Sequence, residues 1–248
     1  MPIVVENGVD IGPGITITNG GGSPVVDNLV LYYDPSNISS YPGTGTTINS
    51  LATTNLTGTL SNITYTSPSF NYAGNSQVSV ADNALLEPGN GSWTMEAWFN
   101  VSSTPTSGVI LGKFDNGGLS KNVSYSIRYN TSRSLFAQFS NGVPATFVNS
   151  SAYTFSLNTW YQVVYVWTNS GGTKTIGTYI NGSSIGTVNH TFTSILNSTN
   201  PLYLGSYNGG EYSQYVTGKI GITRLYSAAL TPSEVLNNYN ANKAIYGL

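Results

Sequence analysis

The fold is decided between Thr159 and Val188, where the chain reads T-W-Y-Q-V-V-Y-V-W-T-N-S-G-G-T-K-T-I-G-T-Y-I-N-G-S-S-I-G-T-V. Asn169-Ser170-Gly171-Gly172 and Asn181-Gly182 divide it into three β-prone runs. Asn-Gly between alternating runs marks a two-residue hairpin, because both residues accept the positive φ of a type I′ turn. From Trp160 to Trp167 both alternate sets are apolar: Tyr161, Val163, Tyr165 and Trp167 on one side, Trp160, Val164 and Val166 on the other. A strand apolar on both faces must be covered twice.

Outward from this meander, further β runs recur at short spacing. Leu29–Tyr33 precedes it and ends at Asp34-Pro35, since proline cannot donate within a ladder. Ser69–Tyr72 and Gln77–Val80 flank Gly74-Asn75 as a hairpin, and Asn83–Pro88 reads as one helical turn. Trp93–Val101, Val109–Phe114, Ser124–Tyr129 and Leu135–Phe139 follow, and Pro201–Gly205 and Gly218–Tyr226 supply the last strands. One longer helix is expected after Leu230, where Thr231-Pro232-Ser233-Glu234 combines an N-cap, a first-turn proline and a capping-box glutamate. The pattern predicts an all-β, two-sheet antiparallel sandwich over residues 25–248 with one short C-terminal helix.

Residues 1–24 differ. Ile3-Val4-Val5 and Ile15-Thr16-Ile17 are short β-prone runs around Gly12-Pro13-Gly14, ending in Asn19-Gly20-Gly21-Gly22. Such segments add readily to an exposed sheet edge, so residues 1–24 are expected to form an extended docking arm on a partner, with Ile3, Val4, Val5, Ile15 and Ile17 as its contacts.

Composition narrows the chemistry. Only 7% of the 248 residues are charged, with 8 basic against 10 acidic and a net charge of −2, where about 25% charged is usual. Without clustered Lys and Arg there is no footprint for nucleic acid. No apolar run approaches the roughly 18 residues of a membrane span. The chain has no cysteine and one histidine, His190, which removes thiolate catalysis and multi-histidine metal sites. The N-terminus has neither the basic nor the apolar region of a secretion signal. Low charge and many aromatics also suit self-association.

The order of Trp93-Thr-Met-Glu-Ala-Trp98, Asn158-Thr159-Trp160 with its Val-rich strand, Tyr179-Ile-Asn-Gly182, Pro201-Leu-Tyr-Leu-Gly205, and Gly218-Lys-Ile220 through Thr231-Pro-Ser-Glu234 resembles a concanavalin A-like jelly roll of the laminin-G-like type. The resemblance covers roughly residues 90–240, and its register implies that Val163, Tyr165 and Trp167 face the space between the sheets. Leu29–Asn37 with Ser40-Tyr-Pro-Gly43 is similar to versions found in bacteriophage structural proteins. This implies a virion setting, in which the arm would bind other virion proteins. One position departs: an acidic residue often follows the Gly-Lys-Ile of the late strand, where this chain has Gly221.

Three site readings follow. Related glucanases carry a Glu-x-Asp-x-x-Glu face, which none of the acidic residues here reproduces, so hydrolysis is not expected. Glu96 instead reads as a structural carboxylate. The Gly182-Ser-Ser-Ile-Gly186 match to a nucleophile elbow follows a hairpin turn and has no acid between Ser184 and His190. Calcium, which some loops of this fold carry, would have Asp115 and Asn116, with Asp82, as ligands, against the alternative of no cofactor. For a cell-surface glycan, the segment Tyr207–Tyr215 offers Tyr207, Asn208, Glu211 and Tyr212 on a loop; the alternative is tyrosines packed on the sandwich. The leading expectation is a non-enzymatic phage virion protein, such as a capsid decoration, head-fibre or tail-associated subunit. A glycan-binding adhesin is the alternative.

Overall fold

The computed structural model describes residues 22–114, 123–142, 146–209 and 212–248. In chain order the strands are β1 (Leu29–Tyr33), β2 (Thr47–Asn49), β3 (Thr57–Ser61), β4 (Thr64–Thr66), β5 (Ser69–Ala73), β6 (Gln77–Val80), β7 (Trp93–Ser103), β8 (Gly108–Phe114), β9 (Val123–Tyr129) and β10 (Ser134–Ser140). They continue with β11 (Phe147–Asn149), β12 (Tyr153–Thr154), β13 (Tyr161–Ser170), β14 (Thr173–Ile180), β15 (Ser183–Asn189), β16 (Leu202–Leu204), β17 (Ser206–Gly209), β18 (Tyr212–Tyr215) and β19 (Thr217–Tyr226). Helix α1 spans Pro232–Asn242, and short 3₁₀ turns occupy Ala84–Leu86 and Lys243–Tyr246.

Two antiparallel sheets form the sandwich. The first runs β15-β14-β13-β7-β19-β5-β4, with β1 also paired to β19. The second runs β11-β10-β9-β8-β16-β6-β3-β2, with β12 on β10. Both hairpins of the meander form as the sequence requires: Gly171 and Gly172 have φ of 60° and 79°, and Asn181 and Gly182 have 51° and 76°. The hairpin expected about Gly74-Asn75 does not form: β5 pairs with β4 and β19 in the first sheet and β6 with β3 and β16 in the second, so the turn carries the chain between sheets, where Phe70 and Tyr72 meet Val78 and Val80 in the core. β13 is third from one edge of its sheet, so its importance lies in being covered twice rather than in being central.

Alternation decides which side chains fill the interior. From β7, Trp93, Met95, Ala97, Phe99 and Val101 point inward, and from β13, Val163, Tyr165 and Trp167. They meet Tyr125, Ile127, Tyr129, Leu135, Ala137 and Phe139 of the second sheet. The register implied by the resemblance is the one observed.

The opposite face of the first sheet needs its own cover, and α1 with the 3₁₀ turn after it supplies most of it. Val164, Val166, Tyr179 and Tyr226 pack with Leu230 and Val235. Beside them Trp98, Ile222 and Tyr246 pack with Tyr32, Trp160 and Tyr239. The Trp98 ring is stacked between Tyr239 at 5.8 Å and Tyr246 at 4.5 Å. Thr231 and Glu234 cap the helix reciprocally, with the Thr231 amide donating to Glu234 Oε2 at 2.7 Å. Gly221 has a steric cause here: a Cβ there would collide with the Tyr246 hydroxyl, which accepts from the Ile222 amide at 2.8 Å. An acidic side chain at that position is incompatible with Tyr246 in this place.

Between helix and sheet lies a buried polar hub. Arg224 Nη1 donates to Glu96 Oε1 at 2.9 Å, and both side chains are fully buried. Gln162 Nε2 donates to the same oxygen at 2.9 Å, and Asn238 Nδ2 from α1 donates to Glu96 Oε2 at 2.8 Å. Arg224 Nη2 reaches Asn242 Oδ1 at 2.7 Å, and the guanidinium lies 4.2 Å from the centre of the Tyr32 ring. Burial is the largest single influence and opposes the Arg224 charge, but the Glu96 carboxylate together with the Tyr32 and Tyr226 hydroxyls outweighs it and holds the pKa above the ordinary arginine value. Glu96 is thus the structural carboxylate the sequence led us to expect.

His190 is buried, with its ring stacked on Trp167 at a centroid distance of 3.6 Å. Its Nε2 lies 3.2 Å from the Thr168 carbonyl oxygen, which can only accept, so Nε2 carries the proton of the neutral ring. Ser184 sits six residues earlier on the exposed edge strand β15, roughly 20 Å along it at strand rise. The nucleophile-elbow match has no elbow.

Two predictions follow from this packing. Arg224→Met leaves the Glu96 carboxylate buried without its counter-charge and is expected to cost about 3–5 kcal/mol in denaturant unfolding, with a double Arg224→Met, Glu96→Gln variant recovering part of that loss. Burial lowers the His190 pKa, so the folded state holds the neutral ring while the unfolded chain titrates near the ordinary value of 6.5. The stabilisation is complete above that value and is lost as pH falls through the lowered one. The unfolding midpoint should therefore decline from pH 7 to pH 5, and His190→Gln should flatten that decline.

Candidate functional site

The helix does not cover the whole outer face of the first sheet. Its cover ends at Trp98 and Tyr246, and there the outward positions of the strands change character. Along β7 the outward set is Thr94, Glu96, Trp98, Asn100 and Ser102, polar at the end that α1 does not reach. Lys219 of β19 is paired across the ladder with Asn100 of β7 on one side and Asn71 of β5 on the other. Residues directly opposite share a face, so Asn71, Lys219 and Asn100 form one outward row across three strands. Trp160 precedes Tyr161, which is paired with Phe99, and so enters the sheet at the level of Asn100. The half-buried Trp160 ring rests on Tyr246 at 4.4 Å.

The row of Asn71, Lys219 and Asn100 borders a groove of about 410 Å³ that Tyr72, Ser102, Asn158 and Gly218 also line. Gly218 has φ of 151°, and a Cβ there would collide with the Asn100 carbonyl oxygen, so glycine is what lets β19 and β7 close up beneath Lys219. Asn71 Nδ2 donates to Thr66 Oγ1 at 3.1 Å and to Thr64, which leaves its carbonyl oxygen as an acceptor. Ser102 Oγ donates to the Thr217 carbonyl at 3.2 Å. Asn158 sits in the left-handed region at φ of 57°, anchored by its amide on the Val101 carbonyl at 2.8 Å. Among the described residues, the Asn100 and Asn158 carboxamides and the Lys219 ammonium have no hydrogen-bond or ion-pair partner. The groove presents donors and acceptors that the fold itself does not use.

No carboxylate lines the groove. The described carboxylates with partners are engaged elsewhere: Glu96 in the hub, Glu234 in the helix cap, Asp34 with the Ser36 hydroxyl at 2.6 Å, and Asp82 and Glu87 with Lys113. The buried Lys113 ammonium lies 2.6 Å from Asp82 Oδ1, 2.9 Å from Glu87 Oε1 and 2.6 Å from the Asn200 carbonyl oxygen. Asp82, one of the oxygens considered for calcium, therefore holds a lysine. Asp115 and Asn116 lie outside the described residues, and among those described no cluster of three or more acidic or histidine side chains is arranged for a metal.

The tyrosine-rich segment expected to bind ligand forms a ribbon, β17 and β18, on the outer face of the second sheet. Tyr207 is 3% exposed, with its ring 4.4 Å from Phe114 in a cluster with Val109 and Val123. For Tyr207 the arrangement is the alternative one, a tyrosine packed on the sandwich: Phe114 and its neighbours bury the ring because the ribbon folds down onto β8. Arg128 pins the ribbon by donating to Gln214 Oε1 at 2.9 Å and Gln138 Oε1 at 2.8 Å. Asn208 and Tyr212 lie on its two strands, with side chains outside the described set, as is Glu211. The arm positions Ile3, Val4, Val5, Ile15 and Ile17 are also outside it. The groove residues Asn71, Asn100, Ser102 and Lys219 escaped sequence reasoning. Their signal was the outward set of β7 passing from Trp98 to Asn100 and Ser102, which has meaning only once the reach of α1 is known.

Residues 72–236, about two thirds of the chain, match the family model described as the concanavalin A-like lectin/glucanases superfamily, laminin-G-like type. No curated protein sequence is significantly similar. Among solved structures, the binding domain of Paraclostridial Mosquitocidal Protein 1 aligns with a TM-score of 0.66 at 16% identity, covering 87% of this chain and 52% of that one. A botulinum neurotoxin type C structure, titled for a cell entry that depends on two ganglioside molecules, aligns with 0.64 at 14% identity, covering 87% and 51%. A Trypanosoma rangeli sialidase mutant with trans-sialidase activity aligns with 0.62 at 14% identity, covering 92% and 35%. At these identities the likeness is one of fold, and the chain spans about half the length of the two toxin structures.

Proposed function

We propose that this chain, which belongs to the concanavalin A-like lectin/glucanase superfamily, is a non-enzymatic glycan-binding module whose sugar site is the row Asn71, Lys219, Asn100 and Trp160. The observation that carries this is the set of unpartnered side chains. Among the described residues, Asn100, Asn158 and Lys219 keep their hydrogen-bonding capacity free in a groove, and Trp160 enters the sheet at the level of Asn100. Polyhydroxylated ligands are bound by carboxamides that donate and accept together, with an aromatic face for the apolar side of the ring. Three neighbouring strands span roughly 10 Å, enough for a short oligosaccharide. The toxin structures support the reading by fold analogy only. Bond cleavage has no acid pair at the groove to perform it.

The setting in this reading is a phage virion, with the sandwich displayed outward and residues 1–24 as the attachment. Its support is the phage-like segment at β1 and the Asp34 turn. The first described residues after the arm run along α1, where Asn237 Nδ2 donates to the Ser23 carbonyl at 2.7 Å and the Val25 amide donates to Asn238 Oδ1 at 2.8 Å.

Asn100→Ala and Asn158→Gly remove carboxamides with no partner among the described residues, and glycine accepts the φ of 57° at position 158, so the melting temperature should stay near that of the parent. Glycan affinity, read by array and then by titration, should fall about tenfold per residue, which is 1.4 kcal/mol. Unchanged binding by the double variant would exclude this groove as the sugar site. Deleting residues 1–21 should leave the sandwich folded and abolish incorporation into particles; normal incorporation would refute the attachment role.

A further inference from the structure

We infer that the glycan taken by the groove is anionic, bearing a carboxylate or sulfate that Lys219 recognises; this rests on the glycan-binding reading above. Most of the chain's polarity is uncharged, and several of its few cations are already engaged. Lys113 is held by Asp82 and Glu87, Arg224 by Glu96 and Asn242, Arg128 by Gln138 and Gln214, and Lys243 by Asn240 at 3.0 Å. Lys219 is exposed, has no such partner, and is the charged member of a groove whose other lining residues are neutral. Its cross-strand neighbours on both sides are carboxamides, Asn71 and Asn100, rather than the carboxylates that pair cross-strand cations in many sheets.

The arrangement suits one anionic group. The ammonium supplies the charge, and the free Asn100 and Asn158 amides can donate to the oxygens it does not reach. Asn71 adds an acceptor for a neighbouring hydroxyl, since its Nδ2 is committed to Thr64 and Thr66. A neutral sugar would use the carboxamides and leave the ammonium in water. The net charge of −2 repels anions weakly at long range. Within a Debye length of about 8–10 Å, however, the local lysine dominates, so selectivity comes from the groove and not from the whole protein.

The test compares lactose with sialylated and sulfated lactose by titration against the full chain, at low and physiological salt. The anionic sugars should bind about fivefold or more tightly than lactose at low salt, with the gap narrowing as salt rises. Lys219→Gln should erase the gap between anionic and neutral sugars, and Lys219→Arg should keep it. The two anionic arms show whether carboxylate or sulfate is preferred. Equal affinity for neutral and anionic sugars, or a gap that survives Lys219→Gln, overturns this inference and leaves the glycan-binding reading intact. No binding by any of the sugars overturns both. Because Lys219 is exposed and unpartnered, the variants should melt with the parent protein, so a lost gap reports recognition rather than unfolding.

Discussion

The contact on which the rest of the structure depends is the buried pair of Glu96 and Arg224. Each comes from a long strand of the first sheet, and neither reaches water. A charge taken from water in this way is tolerated when most of its remaining hydrogen-bonding capacity is met, and of the atoms of this pair Arg224 Nε is left without a hydrogen-bond partner among the described residues. Gln162 and Asn238 complete Glu96, and Asn242 with Gln162 ties in the helix and the β14–β15 turn, where the Gly182 amide donates to Gln162 Oε1 at 3.1 Å. Three strands, one helix and one turn are held in a single relative position by groups that cannot be left unpaired. Asn238 extends the same network to Val25 and Tyr226, so the start of the sandwich is fastened to its end.

The hub also sets where the candidate site can be. It fixes α1 over Val164, Val166 and Tyr226, and the 3₁₀ turn then brings Tyr246 onto Trp98 and beneath Trp160. Beyond that point the same strands continue without cover, and their outward residues are Asn, Ser and Lys. The aromatic stack that ends the structural half therefore lies where the polar half begins.

Much of this was legible in the residues. The Asn-Gly and Gly-Gly turns, the doubly apolar β13, the capping box at Thr231 and the spacing of the strands are local properties, and each formed as read. The structural role of Glu96 was implied by the family resemblance of Trp93–Trp98 and not by any local pattern. At Tyr207 the alternative of a tyrosine packed on the sandwich is what formed, because composition reports what a side chain could do and not which way its strand faces. Tyr207 points at Phe114, and no pattern within Tyr207–Tyr215 says that the ribbon lies flat on the second sheet. Gly221 shows the converse: a departure from the family pattern looked like a lost acid, and its cause is a tyrosine 25 residues later in the chain.

By itself the sequence determined the class of fold, the order of its elements and the need for a second cover over β13. These follow from periodicity and turn chemistry, which act between near neighbours. Only the tertiary structure decided what that cover is, how far it reaches and which polar side chains it leaves without partners. Asn71, Asn100 and Lys219 come from segments far apart in the chain and become one row only when β5, β19 and β7 pair. Whether an asparagine is spent on the fold or left for a ligand depends on that pairing, because a hydrogen bond needs its partner within about 3 Å.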